Sequence, residues 1–408
     1  MMALRSINQD DLRNHNLSVV LTTLLQSAKP MSRAKLAKAT GLTKATMSLL
    51  VPMLVSSNAM EEGKPVSAGT TYGRPSTPLN ISGRRFCSIG LQINTDGYGY
   101  IVLALDGTIV SQRWVSRSME ASDPEEVFAQ LDKLVGIGEK KISEKGLSVV
   151  GTVLALPGLV TEDMVLLSAK NLGWKKLELS RFNVVKRLDA LADNEANLAA
   201  LAQIPGYATP RNGKRVIRPT DSFIYISTDI GIGGAVVRHG QVDRGDFGFA
   251  GELGHVSVAL DGPQCTCGRC GCLEMYAGRK ALVEASGVAD PGVSTRMEAV
   301  DELLARYKAH DDRTVAAVDR AVRALTSVLA SAINILDINT VVLGGLWDRF
   351  GKALTRRLSH ELGLQVLSYP EVQPRVLLPD VNTRPALLGA AEVGLRRFID
   401  NPLAFINS

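Results

Sequence analysis

Four of the five cysteines in this 408-residue chain fall within eight residues, inside the segment HVSVALDGPQCTCGRCGCLE that runs from His255 to Glu274. Thiolates at Cys265, Cys267 and Cys272, with the imidazole of His255 upstream, can close one tetrahedral shell around Zn²⁺, at roughly 2.3 Å to sulfur and about 2.0 Å to nitrogen. Such a shell leaves no open position, so the metal it predicts is a structural staple rather than a Lewis acid. The nearby acidic groups, Glu252 and Glu274, must then answer to something else. Carboxylates accept hydrogen bonds from paired hydroxyls, and a histidine that binds zinc through one nitrogen keeps the other for a second partner. As plain surface residues, the same two glutamates would be ion-pair partners.

Strands and helices must position that segment. From Arg85 onward, FCSIGLQI, GYIVLAL and TIVSQRWV, the last two joined by a turn at Asp106-Gly107, predict a β-meander. A polar amphipathic helix is predicted near residues 124–143, and LSVVGTVLALPG reads as a buried strand that ends in a loop. SFIYISTDIGIGGAVV is a second strand run with a Gly-rich turn. A long helix over 313–336 then feeds the strand TVVLGG, and 386–399 is helical again. Meander, crossover helices and Gly turns, occurring twice, describe two related α/β lobes with a cleft between them. The basic, Pro-containing stretch 203–219 reads as an exposed connection, with a lid or dimer loop as the alternative.

The first 85 residues are of a different kind. They hold 11 Lys/Arg against 4 Asp/Glu, whereas the remainder holds 35 against 37, so the net charge of +5 originates at the N-terminus. That asymmetry points to a polyanion, although a solvated basic face would look the same in composition. Leu17, Val20, Leu21, Leu24 and Leu25 repeat at helical spacing up to Lys29-Pro30. Ser32 can cap a second helix, Gly41 supplies a turn, and Thr43 can cap a third helix with Met47, Leu50 and Leu54 inside. Helix, Gly turn, helix is the helix-turn-helix pattern. Ser32, Arg33, Thr43, Lys44, Thr46 and Ser48 are the candidate DNA contacts, and Pro52 is expected to kink or shorten the third helix. Arg74, between Gly73 and Pro75, can enter a narrow minor groove, or this segment is a wing turn or a linker. A three-helix core that binds only protein is the competing interpretation.

Length and 45% hydrophobic content suffice for two or three cored domains. The opening lacks a basic and then apolar leader, and the longest apolar run is broken by Pro157. The expected location is therefore cytoplasmic, with no membrane partner. Clustered thiols beside a lone Cys87 fit a metal site better than a disulfide framework.

GELGHVSV followed by CTCGRCGCLE resembles the GExGH and CxCGxxGCLE motifs of the ROK family of repressors, open reading frames and sugar kinases, and the likeness extends over nearly the whole chain. The N-terminal module with its Gly-Arg-Pro segment is similar to that of the repressor branch, the xylose- and N-acetylglucosamine-repressor type, and kinase members usually lack it. The resemblance implies a winged helix-turn-helix over 1–82, linker included. A two-lobed, actin-like and ribonuclease-H-like ATPase-type domain would follow, with lobe 1 formed by 83–195 plus about 380–408 and lobe 2, carrying the zinc, by 196–380. It implies sugar contacts at Gly158, Asn194, Glu195, Glu252, His255 and Glu274, zinc at His255, Cys265, Cys267 and Cys272, and Cys270 as a spectator at a variable position.

Kinases of the family place an Asn-Asp-Ala-Asn segment at the sugar, its Asp acting as general base. Here Asn194-Glu195-Ala196-Asn197 is one methylene longer at that point, and a misplacement of about 1 Å can cost on the order of a hundredfold in rate. The kinase phosphate loop, Asp-x-Gly-x-Thr, is replaced by Gln92-Ile93-Asn94-Thr95-Asp96. Asp229 stands for a glycine in the second Gly-rich turn and should repel ATP. No catalytic residue is therefore assigned. The resemblance implies a sugar-responsive repressor that binds operator DNA and a monosaccharide (xylose first, then glucose or N-acetylglucosamine) as a homodimer or homotetramer. An active ATP-dependent sugar kinase is the alternative.

Overall fold

The computed structural model describes residues 8–27, 29–65, 77–211, 217–289 and 297–406. Its N-terminal part is a winged helix-turn-helix. Helix α1 (Gln9–Gln26) starts in a capping box, in which Asn8 Oδ1 accepts from Asp11 N and Asp11 Oδ2 from Asn8 N. After the short strand β1 (Met31–Ser32), α2 (Arg33–Thr40) is capped by Ser32 and ends at Gly41, whose φ of +74° favours glycine. Helix α3 (Lys44–Ser56) is capped by Thr43 and, contrary to expectation, runs on past Pro52. Pro52 is exposed, so the Ser48 carbonyl that loses its helical donor faces water. Strands β2 (Met60–Glu62) and β3 (Pro78–Ile81) form the wing, in the order β1-β3-β2. Gly73-Arg74-Pro75, and with it the contact expected of Arg74, lies outside the described residues.

Two five-stranded sheets follow, with the same topology. The first comprises β4 (Phe86–Asn94), β5 (Gly97–Ala104), β6 (Ile109–Ser116), β7 (Ser148–Leu156) and β11 (Ala190–Asn194) in the order β11-β7-β4-β5-β6. Helix α4 (Pro124–Glu144) crosses over from β6 to β7. A small sheet of β8 (Leu159–Val160), β9 (Val165–Ser168) and β10 (Leu177–Glu178), then α5 (Asn183–Arg187), precede β11, and α6 (Glu195–Leu201) follows it. The second sheet comprises β12 (Phe223–Thr228), β13 (Ile232–Arg238), β14 (Gln241–Asp243), β15 (Thr340–Gly345) and β16 (Arg375–Leu377), in the order β14-β13-β12-β15-β16. Between β14 and β15 lie α7 (Glu274–Ala277), α8 (Arg279–Ala285), α9 (Met297–Lys308) and α10 (Asp312–Leu336). Helix α11 (Gly351–Gly363) leads to β16, and α12 (Pro385–Asp400) and α13 (Leu403–Ile406) end the chain. In each sheet an antiparallel meander of three strands is extended by two parallel ones.

Strand alternation sorts the cores. Leu154 and Leu156 of β7 face the α4 side, while Val153 and Ala155 join Phe223 and Tyr225 of β12 around α6 and α12. Helices α6 and α12 thus sit between the sheets, and they touch closely: a Cβ on Gly389 would lie 1.9 Å from the Leu198 carbonyl oxygen. The N-terminal module is built into the same body. Leu17, Leu21 and Leu25 of α1 share one core with Leu387, Leu395 and Phe398 of α12, and Asn14 hydrogen-bonds the Asp400 carbonyl (3.3 Å) and the Leu403 amide (3.1 Å).

The stretch 203–209 differs from its expected exposure. Gln203 is buried and exchanges hydrogen bonds with the Val381 backbone (2.9 and 3.1 Å), and Ala208 joins the core around α1. Gly206, at φ +71°, admits the Leu25 carbonyl, which a Cβ would meet at 2.6 Å. The basic residues from 211 onward concealed a docking seat in the part of the stretch before them. Among the described residues, no helix is long and apolar enough to cross a membrane.

Candidate functional site

The cysteine loop is set by its backbone. Cys265 N donates to Arg269 O (2.8 Å), Val258 N to Gly271 O (2.8 Å), and Gly271, at φ +66°, passes so close to Ala259 that a Cβ would stand 1.7 Å from its carbonyl oxygen. These turns bring one donor atom each from His255, Cys265, Cys267 and Cys272 within 4.8 Å of one another. Cys265 Sγ is 3.6 Å from His255 Nδ1, and Cys267 Sγ is 3.6 Å from Cys272 Sγ. A tetrahedron with metal–sulfur bonds of about 2.3 Å has edges of roughly 3.8 Å, so the donor set fits a metal ion. Burial, then the adjacent thiols of Cys267 and Cys265, push the Cys272 thiol up to about 12, a crowding that a cation relieves. Cys270 stands outside this group and is exposed.

His255 is also one helical turn from Glu252. The segment Leu253–His255 is a single 3₁₀ turn, in which positions three apart eclipse, and it puts His255 Nε2 4.0 Å from Glu252 Oε2. With Nδ1 turned to the sulfurs, Nε2 points to the carboxylate side. Partial burial and then the like charge of Glu274 raise the Glu252 carboxyl, with His255 opposing. Glu274 Oε2 accepts from Ile232 N (3.1 Å). A Cβ on Gly231 would meet Glu274 Oε2 at 2.2 Å and Asn171 Nδ2 at 2.8 Å, so the glycine makes room for both.

The other expected sugar contacts lie at the edge of the first sheet. Asn194 caps α6: its Oδ1 accepts from Ala196 N (2.7 Å), and its Nδ2 donates to Gly158 O (2.8 Å). The next residue, Glu195, accepts from Gln92 Nε2 (3.1 Å). Desolvation, then the charge of Asp229, raise its carboxyl to about 8 against the opposing Gln92 bond, and Asp96 raises it further. Asp193 is engaged elsewhere, by Arg244 (2.6 Å) and Asn197 (3.0 Å). Gly158, Asn194 and Glu195 thus stand on one side, and Glu252, His255 and Glu274 on the other. The turn 229–232 links them, since Asp229 acts on Glu195 while Ile232 N holds Glu274.

Sequence reasoning missed the group that crosses this turn. Arg279, buried at the start of α8, makes a two-pronged ion pair with Asp96 on the β4–β5 turn (2.8 and 3.0 Å), and its amide donates to the Asp229 carbonyl (3.1 Å). Burial raises the Asp229 carboxyl, Arg279 lowers it and Asp96 raises it. Beside this network Gln92 Oε1, Thr228 Oγ1 and Arg279 Nε are buried without a hydrogen-bond partner among the described residues. The position of Gln92 was legible as the altered phosphate loop. Asn171 and Arg279 carried no local signal.

In the N-terminal module, Ser32, Arg33, Thr43, Lys44, Thr46 and Ser48 lie on α2, α3 and their caps. Arg33 pairs with Glu62 of the wing (2.7 Å), Ser48 Oγ donates to Lys44 O (3.0 Å), and the Thr43 and Thr46 hydroxyls bond each other (2.9 Å). Lys44 is exposed.

Comparisons with known proteins agree on both halves of the molecule. The family model described as ROK family matches residues 88–396. The xylose repressor of Caldicellulosiruptor bescii is 26% identical over 409 residues, covering 97% of this chain and 99% of that protein. The crystal structure of a ROK family transcriptional regulator, a homologue of the E. coli MLC protein, superposes with a TM-score of 0.75 at 21% identity, covering 97% of this chain and 99% of the other. A ROK family glucokinase from Streptomyces griseus, in complex with glucose and AMPPNP, superposes at 0.60 and 23% identity over 75% of this chain and 98% of its own.

Proposed function

The chain belongs to the ROK family, and from that premise we propose that it is a sugar-responsive, DNA-binding transcriptional regulator, a repressor of carbohydrate-utilisation genes. Its cleft holds a monosaccharide without phosphorylating it. The division that serves this function is a winged helix-turn-helix with linker over 1–82, a first lobe over 83–195 plus about 380–408, and a second lobe over 196–380. The observation that carries the proposal is the Asp96–Arg279 pair beside Asp229. Carboxylates and a neutralised arginine occupy the region where the family's kinases face phosphate, and a second anion there meets like charge.

The sugar sits between Gly158, Asn194 and Glu195 on one lobe and Glu252, His255 and Glu274 on the other. Glu195, whose carboxyl is raised to about 8 by burial and then by the charge of Asp229, is protonated near neutral pH, donates a hydrogen bond and is unavailable as a base. The unpartnered Gln92 Oε1 and Thr228 Oγ1 are atoms that a polyhydroxyl ligand or water would satisfy. His255 Nδ1, Cys265, Cys267 and Cys272 would hold Zn²⁺, which would cross-link the loop and fix the direction of His255 Nε2. The protein is cytoplasmic and acts as a homodimer or homotetramer. A pentose such as xylose is the first candidate effector, ahead of glucose and N-acetylglucosamine.

Closure on the sugar reaches the DNA through packed helices. Helix α6 begins at Glu195 and lies against α12, and α12 shares its core with α1. A small rotation of α6 therefore shifts the DNA-reading modules of a dimer relative to one another, and half-sites one helical turn apart require a fixed spacing. Coupling of about 1–3 kcal/mol changes operator affinity roughly 5–150-fold. The test is fluorescence anisotropy of the full chain on duplexes enriched from a random pool, with and without a panel of monosaccharides, alongside a sugar-dependent ATP-turnover assay. One sugar should release DNA with no turnover. Turnover that Asn194→Ala abolishes, with DNA binding indifferent to every sugar, would establish the kinase alternative instead.

A further inference from the structure

We propose that the exposed face of α3 reads thymine methyl groups, with Leu49 as the specificity-determining residue and Ala45 and Pro52 beside it. This rests on the DNA-binding function proposed above and names what the module recognises. Helical spacing divides α3 in two: Met47, Leu50, Val51 and Leu54 are buried, whereas Lys44, Ala45, Ser48, Leu49 and Pro52 are exposed on one face. Leu49 is 71% exposed, more than any other large apolar residue described in the module. Leu49 stands outside the trihelical core and, with Ala45 and Pro52 exposed beside it, forms an apolar strip where a lone exposed leucine would need no explanation.

The polar side chains expected to read bases are turned back on the helix. Ser48 Oγ donates to the Lys44 carbonyl, the Thr43 and Thr46 hydroxyls bond each other, and Thr43 also caps the Thr46 amide. What α3 presents outward is an apolar strip flanked by Lys44, with Lys35 and Lys38 exposed on α2. An apolar strip on a module that also exposes Lys35, Lys38 and Lys44 does not suit a second copy of the same basic module, because like charges would meet. It suits the major groove, where phosphates line both walls and the C5-methyl of thymine is the apolar group on the base edges. The lysines supply affinity without sequence, and the strip supplies preference for thymine at the base steps that Leu49 and Ala45 cover.

The test uses the full chain and duplexes that it enriches from a random pool, with each thymine replaced in turn by deoxyuridine, which removes only the methyl group. At one or two positions per half-site the substitution should weaken binding roughly fourfold, the value of one buried methyl-sized group. Leu49→Ala should reduce that discrimination to less than twofold, and Leu49→Met, which keeps an apolar reach, should preserve most of it. Thermal midpoints should be unchanged, because Leu49 is outside the core. Uridine substitution without effect at every position, or with the same effect on wild type and Leu49→Ala, overturns the proposal. So does a Leu49→Ala protein whose light-scattering mass falls while its thymine preference stays, since the strip would then be a contact between copies. A pool from which no duplex is enriched overturns the DNA-binding function itself, and this inference with it.

Discussion

The cysteine loop and the Asp96–Arg279 network both tie the cleft together with polar side chains, and they do so on opposite terms. The loop takes its four donors from one short stretch, 255–272, and brings them close enough together that one cation could satisfy all of them. The network joins residues 183 apart in sequence, and one guanidinium faces the carboxylates of Asp96 and Asp229, with Glu195 close by. A closed tetrahedral shell is insensitive to whatever enters the cleft. An under-compensated set of buried acids is sensitive to it, because any new hydrogen-bond donor or displaced proton changes its balance. Rigidity therefore belongs to the loop and responsiveness to the network.

The largest expected effect comes from removing the rigid partner. Chelation of the metal, or Cys265→Ala, should abolish the sugar-induced thermal shift, because His255 loses the bond that aims Nε2 at the cleft. A metal-free protein that still shows the full shift with its sugar would show that the hydrogen bonds of the loop suffice without the ion. Breaking the network should cost less. Arg279→Met leaves Asp96 and Asp229 facing each other without their cation, and loss of one partner of a buried pair costs about 3–5 kcal/mol. Asp96 is 33% exposed, so water offsets part of that and roughly 2–3 kcal/mol is expected by denaturant unfolding. Asp96→Asn added to Arg279→Met should recover a measurable fraction. If the double variant is no better than the single one, the arginine acts through packing, not charge.

That contrast also decides what the sequence disclosed. The His/Cys cluster was legible because its members are neighbours in the chain, and spacing alone restricts what thiols and an imidazole can do. The two sheets were legible because each strand carries its own alternation, as β7 does in sending Leu154 one way and Ala155 the other. The network was not, since nothing near Asp96 announces Arg279, and only the folded chain brings the β4–β5 turn to the start of α8. The same holds for Asn171, whose side chain comes close to position 231, as that of Glu274 does, where no side chain stands in the way. Composition misled once: the basic, Pro-containing stretch 203–219 reads as an exposed connection, but its first part, 203–209, buries Gln203 and Ala208 and receives α1. Caps were easier, since Ser32 and Thr43 act on amides three residues away.

The comparison is sharpened further through pH. Burial raises the Glu195 carboxyl most, followed by the charge of Asp229 and, more weakly, of Asp96; neutral Gln92, which donates to it, opposes them, and Arg279 faces the two aspartates. The folded value of about 8 lies above the ordinary value of about 4.3 in the unfolded chain, so folding favours the protonated form. The stabilising contribution is complete below the unfolded value and declines as pH rises, until it is gone above about 8. Wild type should therefore lose stability relative to Glu195→Gln between about pH 5 and pH 8, by at most about 1.4 kcal/mol per pH unit and less to the extent that water reaches the half-buried side chain. Cys265→Ala in both backgrounds should leave that difference in slope intact, because the loop lies on the other side of the turn 229–232. Parallel unfolding curves for wild type and Glu195→Gln across this range would mean that Glu195 is ionised in the folded protein, and the network would then be as insensitive as the metal loop.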